Sequence, residues 1–161
     1  MEDSKDHKVV VPPNPLKAKV ISNELQRIDT IAIAKADKAV SDMRQDYLKR
    51  AEELVANLST AMHTLAEKPD DPKRRERVIQ FAYALGSEGK TLGYNLISRI
   101  GKGLSDYMAE VPVTNDRTLD VIRLHVDSLK VVVGSKLWGD GGKTGANLIA
   151  GLEALVRKNM K

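Results

Sequence analysis

The sequence lacks cysteine altogether, and aromatic residues make up only 4% of its 161 residues. Without thiols the chain can form no disulfide scaffold, thiolate metal site or cysteine nucleophile, and this absence favours a reducing compartment. No apolar run approaches the ~20 residues that a membrane-spanning helix needs. The apolar run at residues 9–11 stops at Pro12 and Pro13, so we expect no signal peptide. We therefore predict a cytoplasmic protein that does not associate with membranes.

The rest of the composition is that of a folded domain, with 42% hydrophobic and 30% charged residues. The formal net charge is +4 and the sequence pI is about 9.2. Nucleic-acid-binding proteins usually cluster their positive charge and add aromatic side chains for stacking. Here charges of both signs are mixed and aromatic residues are scarce. We therefore expect a solvated basic surface and no nucleic-acid partner.

Motifs for catalysis and metal binding are absent from the sequence. Residues 89–91 and 142–144 both read Gly-Lys-Thr, which is the end of a phosphate-binding loop. That loop needs a glycine five residues before the Gly-Lys pair, where this chain has Ala84 and Leu137, and a strand before it. Histidine pairs with metal-ligand spacing and a nucleophile elbow are also missing. We therefore expect neither an enzyme nor a bound metal or cofactor.

Apolar residues recur every three or four positions along most of the chain, which is the period of an amphipathic helix. In the first helix this stripe comprises Ala36, Val40, Met43, Tyr47, Ala51, Leu54, Leu58, Ala61 and Leu65. The period predicts helices over residues 30–68, 72–93, 95–109, 117–133 and 144–158. Short loops favour an all-α, antiparallel up-and-down four-helix bundle with an additional C-terminal helix. Residues 30–161 would form this bundle, and the polar, proline-bearing residues 1–29 a mobile, partly disordered or extended N-terminal arm.

The start of the second helix carries two opposing signals. Asp71 can cap the helix and Pro72 suits its first position, while Gly93 suits a left-handed C-terminal cap. The first turn is nevertheless rich in positive charge, which opposes the helix dipole. Two interpretations stay open: a solvated face, or an electrostatic docking edge for an acidic partner. The residues of this possible edge are Lys73, Arg74 and Arg77.

Residues 81–97 form an unusual stretch, because small residues interrupt an amphipathic helix. Gly86 and Gly89 each cost roughly 1 kcal/mol of helix stability relative to alanine. Either the helix backbone lies close to a neighbour there, or an outer face is kept flat for a partner. The residues that share the outer face, by their i, i+4, i+7 spacing, are Tyr83, Ser87 and Lys90.

This stretch resembles the core motif of histidine-containing phosphotransfer (HPt) domains, Ala-His-x-Leu-Lys-Gly-x-x-x-x-Leu/Phe-Gly. It is most similar to an alphaproteobacterial variant that reads Ala-His-Asp-Ile-Lys-Gly-Gln-Gly-Gly-Thr-Phe-Gly-Tyr-Pro-Leu. The residues identical to that variant are Ala82, Gly89, Thr91, Gly93, Tyr94 and Leu96, while Leu85 and Leu92 match in kind. Residues 121–155 also resemble the variant, so the resemblance covers roughly residues 30–158. It implies the HPt four-helix bundle.

The sequence departs from the family's motif at the residues that carry phosphoryl transfer. The phosphoacceptor histidine falls on Tyr83, the lysine that neutralises the phosphoryl group on Gly86, and the next glycine on Ser87. A tyrosine hydroxyl, with a pKa of about 10 in peptides, is a poor nucleophile toward an aspartyl phosphate unless a base activates it. The resemblance thus implies a non-catalytic HPt-like protein that binds a receiver domain or a histidine kinase. The partner-binding residues would be Tyr83, Gly86, Ser87 and Lys90, with Lys73, Arg74 and Arg77 as a basic edge.

Two alternatives remain open at this point. The chain could be an active phosphotransfer protein whose acceptor is His63 or His125, although neither histidine has the matching sequence context. As a lone histidine at the edge of the apolar stripe, His63 is otherwise expected to be a surface or boundary residue. The chain could also be a helical interaction module with no role in phosphorelay.

Overall fold

The computed structural model describes residues 23–160 and places them in five α-helices, with no strand among those residues. The helices are α1 (Asn23–Glu67), α2 (Pro72–Thr91), α3 (Asn95–Glu110), α4 (Asp116–Gly134) and α5 (Gly142–Asn159). The predicted all-α class is therefore confirmed for this part of the chain. Most of the expected N-terminal arm lies outside the described residues. Residues 23–29 are helical and continuous with the first helix, so α1 begins seven residues earlier than predicted.

The chain divides into two compact units between Ala39 and Val40. The described part of the first unit is the N-terminal portion of α1, residues 23–39. The second unit contains the remainder of α1 and the four shorter helices. The boundary expected from the sequence, between residues 29 and 30, stays a prediction.

The local sequence signals at both ends of α2 act as predicted. The Asp71 carboxylate accepts hydrogen bonds from the backbone N–H groups of Lys73 and Arg74, at 2.9 and 3.3 Å. Pro72 begins the helix, where its missing N–H leaves no carbonyl unsatisfied. After the helix, Gly93 has a φ of 85°, the left-handed conformation that glycine adopts without strain. The β-prone run at residues 131–133 is helical, because the period of the whole segment outweighs it.

The core of the second unit is built from the apolar stripes of its helices. Each of the six inward positions predicted for α3 is buried: Leu96, Ile97, Ile100, Leu104, Tyr107 and Met108. In α1 the stripe is buried only from Tyr47 onward, with Leu54 partly buried, while Val40 and Met43 are exposed. An apolar period selects one face of a helix, but only a packed neighbour removes that face from water. None of the described helices is long and apolar enough to cross a membrane.

The junction between α2 and α3 is hydrogen-bonded to the junction between α4 and α5. The Gly139 N–H donates to the Gly93 carbonyl at 3.1 Å, and the Leu96 N–H donates to the Gly139 carbonyl at 2.8 Å. The two Gly-Lys-Thr segments lie at these junctions, one in the last turn of α2 and the other in the first turn of α5. Neither follows a strand in the described part of the chain, so both lack the context that a phosphate-binding loop requires.

An aromatic cluster covers this pair of junctions. The ring of Trp138 meets the Tyr94 ring edge-on at 5.2 Å between centroids, and Tyr94 in turn lies 5.3 Å from Tyr47. The Arg44 guanidinium lies 3.9 Å from the centroid of the Trp138 ring, a cation–π contact. This cluster ties the α4–α5 junction to α1 and to the start of α3.

Candidate functional site

Three of the predicted partner-binding residues lie together on the exposed face of α2. Tyr83 is 66% exposed, and Ser87 and Lys90, one and two turns further along, are exposed as well. The Ser87 hydroxyl donates to the Ala84 carbonyl at 3.2 Å, within its own helix. No described residue hydrogen-bonds the Tyr83 hydroxyl. The phenol ring is therefore available to a partner, and we refer to Tyr83, Ser87 and Lys90 as the α2 face.

Helix α3 adds a charged pair beside the α2 face. The Lys102 ammonium donates to both carboxylate oxygens of Asp106, at 2.8 and 3.1 Å. Its pKa is raised, first by the hydrogen bond and charge of Asp106 and to a smaller extent by Tyr83, so Lys102 stays charged near that phenol. The sequence did not single out Lys102, because residues 83 and 102 lie on different helices and no periodic pattern links them.

The prediction that Gly86 belongs to the partner-binding surface is wrong. Gly86 is buried, and a β-carbon there would lie 2.9 Å from the backbone nitrogen of Lys102. A β-carbon on Gly101 would lie 2.7 Å from the Ala82 carbonyl oxygen. The Ser98 hydroxyl donates to the Gly86 carbonyl at 2.5 Å across the same contact. Gly86 therefore allows α2 and α3 to pack backbone against backbone.

Gly89 has a similar structural role on the side of α2 that faces α1. A β-carbon there would lie 2.8 Å from the Tyr47 hydroxyl oxygen and 3.1 Å from the Tyr94 carbonyl oxygen. Burial raises the pKa of Tyr47, so its hydroxyl keeps its proton, which it donates to the Leu85 carbonyl at 3.4 Å. Of the two explanations that the sequence left open for these glycines, close packing accounts for both.

The basic first turn of α2 divides into two pairs with different surroundings. Lys73 and Arg77 are exposed, as a docking edge requires. Arg74 is partly buried: it donates to the Thr64 carbonyl and forms an ion pair of 3.0 Å with Glu67. Arg74 is therefore only partly available to a partner, since its guanidinium joins the start of α2 to the end of α1.

Arg75 is the other structural member of this basic turn. Its guanidinium donates to the carbonyls of Met108 and Val111 and, at 3.1 Å, to the hydroxyl of Thr114. These acceptors lie at the end of α3 and in the loop before α4. Arg75 thus supplies donors to carbonyls that the end of α3 leaves without helical partners. Because these contacts join residues that are distant in the chain, no pattern along the sequence indicates them.

The two histidines proposed as alternative acceptors lie in opposite environments. His63 is exposed, which confirms its assignment as a surface or boundary residue. His125 is only 2% exposed, its Nδ1 lies 2.8 Å from the Val121 carbonyl oxygen, and burial lowers its pKa. The ring of His125 is therefore not displayed on the protein surface, where a phosphoacceptor has to meet a receiver domain. Among the described residues, no group of three or more histidine, aspartate or glutamate side chains is arranged to hold a metal ion.

The sequence matches no protein-family model, and no curated protein or solved structure matches it.

Proposed function

We propose that the chain is a non-catalytic HPt-like protein that binds a receiver domain or a histidine kinase. In this proposal residues 30–158 form the family's antiparallel four-helix bundle, with α5 as the additional helix. The observation that carries the proposal is the position of Tyr83. It stands half-way along α2, exposed, at the point where the HPt motif has its reactive histidine.

The surroundings of Tyr83 support binding without phosphate transfer. The motif's lysine is replaced by the buried Gly86, and no described side chain near Tyr83 hydrogen-bonds its hydroxyl as a base would. The cations on the exposed surface, Lys90 and Lys102, would face an acidic partner and contribute mainly to orientation and association rate. Lys73 and Arg77 could extend the same surface.

An interaction assay with purified components tests this proposal. Receiver domains and histidine kinases from the source organism are titrated against the full-length protein and against Tyr83→Arg. Replacing the central aromatic residue of the interface with a charged one should weaken binding at least about tenfold. His63→Arg adds the same charge at an exposed position of α1 and should bind as the wild type does. If no such protein binds, or if Tyr83→Arg binds as tightly as the wild type, the proposal is wrong.

Phosphate transfer is measured in the same set of proteins. Incubation with a phosphorylated receiver should leave no acid-labile label on the wild-type chain. Label that disappears in His63→Asn or His125→Asn would instead establish an active phosphotransfer protein with a different acceptor. Binding of an unrelated partner that Tyr83→Arg does not affect would favour a helical interaction module outside phosphorelay.

A further inference from the structure

A groove between α3, α4 and α5 is not used by the proposed docking function. Its volume is about 220 Å³. The residues that line it are Arg99, Ile100, Gly103, His125, Ile149, Leu152, Glu153, Val156 and Arg157. The groove therefore combines an apolar wall with a buried imidazole and two guanidinium groups. This mixture is typical of small-molecule sites, in which a few polar groups orient a ligand held by apolar surface.

The imidazole of His125 presents to the groove an acceptor to which no described residue donates. Its Nδ1 lies 2.8 Å from the Val121 carbonyl oxygen, which can only accept, so Nδ1 carries the proton. In the neutral ring Nε2 is then an acceptor, and no described residue donates to it. A β-carbon on Gly103 would lie 3.8 Å from Nε2, and both residues line the groove. A ligand that fills this side is therefore favoured if it offers a hydrogen-bond donor.

The charged residues of the groove differ in whether they already have an ion-pair partner. Arg99 and Glu153 form an ion pair of 3.2 Å that joins α3 to α5. Arg157 forms no hydrogen bond or ion pair with any described residue, and it lies one turn of α5 beyond Glu153. Its guanidinium is therefore free to bind an anion, for which its planar donors suit a carboxylate.

We propose that this groove binds a small carboxylic acid with an apolar body and a hydroxyl group at its far end. The carboxylate would pair with Arg157, the body would pack on Ile149 and Leu152, and the hydroxyl would donate to His125 Nε2. The volume limits the ligand to about one ring, because sites for drug-sized ligands usually begin near ~300 Å³. A single-ring phenolic acid such as 4-hydroxyphenylacetate has these three features.

Calorimetric titration of the full-length protein with 4-hydroxyphenylacetate and with phenylacetate tests the proposal. Phenylacetate lacks only the hydroxyl and should bind roughly fivefold more weakly, as expected for one neutral hydrogen bond. His125→Asn can keep the bond to Val121 but has no atom in place of Nε2, so this preference should disappear. Arg157 is exposed, so Arg157→Ala should weaken both ligands by roughly two- to fivefold, as expected for an ion pair in contact with solvent.

Two glycine variants serve as controls for a loss of ligand binding that is caused by misfolding. Gly103→Ala places a methyl group in ordinary contact with Nε2, so it should narrow the space beside this atom and reduce the preference for the hydroxylated ligand without disturbing the fold. Gly151→Ala, on an exposed part of α5 with nothing within 4 Å, should retain it. The proposal is overturned if neither ligand binds at millimolar concentration. It is equally overturned if the two ligands bind alike to the wild type, or if the preference survives in His125→Asn.

Discussion

Gly101 of α3 lies directly against Gly86 of α2, so closely that a β-carbon on Gly101 would be 2.8 Å from the Gly86 nitrogen. The two helices therefore meet through their backbones rather than through interdigitated side chains. The Ser98 hydroxyl, bonded to the Gly86 carbonyl, lies within the same contact. This packing explains why α2 retains glycines that lower its own helix propensity, and it places Lys102 beside Tyr83.

Replacing Gly101 with alanine should therefore destabilise the protein. The added methyl group would overlap backbone atoms of α2, which cannot move aside as a flexible side chain can, and overpacking of this kind costs about 1–3 kcal/mol. Urea unfolding followed by circular dichroism measures the change. Gly151→Ala is the matched control, because it meets nothing within 4 Å and should stabilise α5 by about 0.5–1 kcal/mol. Equal stability of Gly101→Ala and the wild type would rule out the backbone contact.

Alanine substitutions at Gly93 and Gly139 distinguish the stability cost of backbone strain from that of steric overlap. Both have positive φ, at 85° and 69°, so alanine should destabilise the protein at either position. At Gly93 a β-carbon would also lie 2.6 Å from the Trp138 ring, whereas at Gly139 it would meet nothing within 4 Å. We expect Gly93→Ala to cost more than Gly139→Ala, by up to about 1–3 kcal/mol, because the half-exposed Trp138 ring must shift to admit the methyl group. Unfolding measurements test the difference. Equal losses would mean that the ring does not pack on Gly93.

His125 should make the stability of the protein fall in mild acid. Burial lowers its pKa in the folded state, so the unfolded chain takes up the proton at a higher pH than the folded chain does. As the pH falls through about 6.5, the unfolded state is therefore favoured, by up to about 1.4 kcal/mol per pH unit from this group. The loss continues until the folded histidine is protonated as well.

Denaturant unfolding between pH 7.5 and 5 measures this dependence. His125→Asn should show a shallower decline than the wild type, because the titrating ring is gone. His63→Asn retains His125 and should decline as steeply as the wild type. A wild-type profile no steeper than that of His125→Asn would contradict the burial of this imidazole.

The elements that could be predicted were those set by neighbouring residues. The capping of α2 by Asp71 and the left-handed Gly93 followed from local chemistry, and the helical period identified the buried face of α3. The exposed grouping of Tyr83, Ser87 and Lys90 also followed from the period, since one helix fixes their relative positions.

The contacts that could not be predicted all join residues from different helices. The docking of Arg75 on the end of α3, the free Nε2 of His125 opposite Gly103, and Lys102 beside Tyr83 have no signature in spacing along the chain. Gly86 was misassigned to the surface for the same reason. Its lack of a side chain was consistent with either a flat outer face or a close neighbour.

The sequence by itself determined that this chain forms helices, where most of them begin and end, and which residues of α2 face outward. These properties depend on interactions within a few residues, which the order of amino acids specifies directly. Only the tertiary structure decided that the glycines of α2 pack inward and that His125 lies in a groove. Those outcomes depend on how helices approach one another, and that approach is set by the fit of whole surfaces rather than by any local pattern.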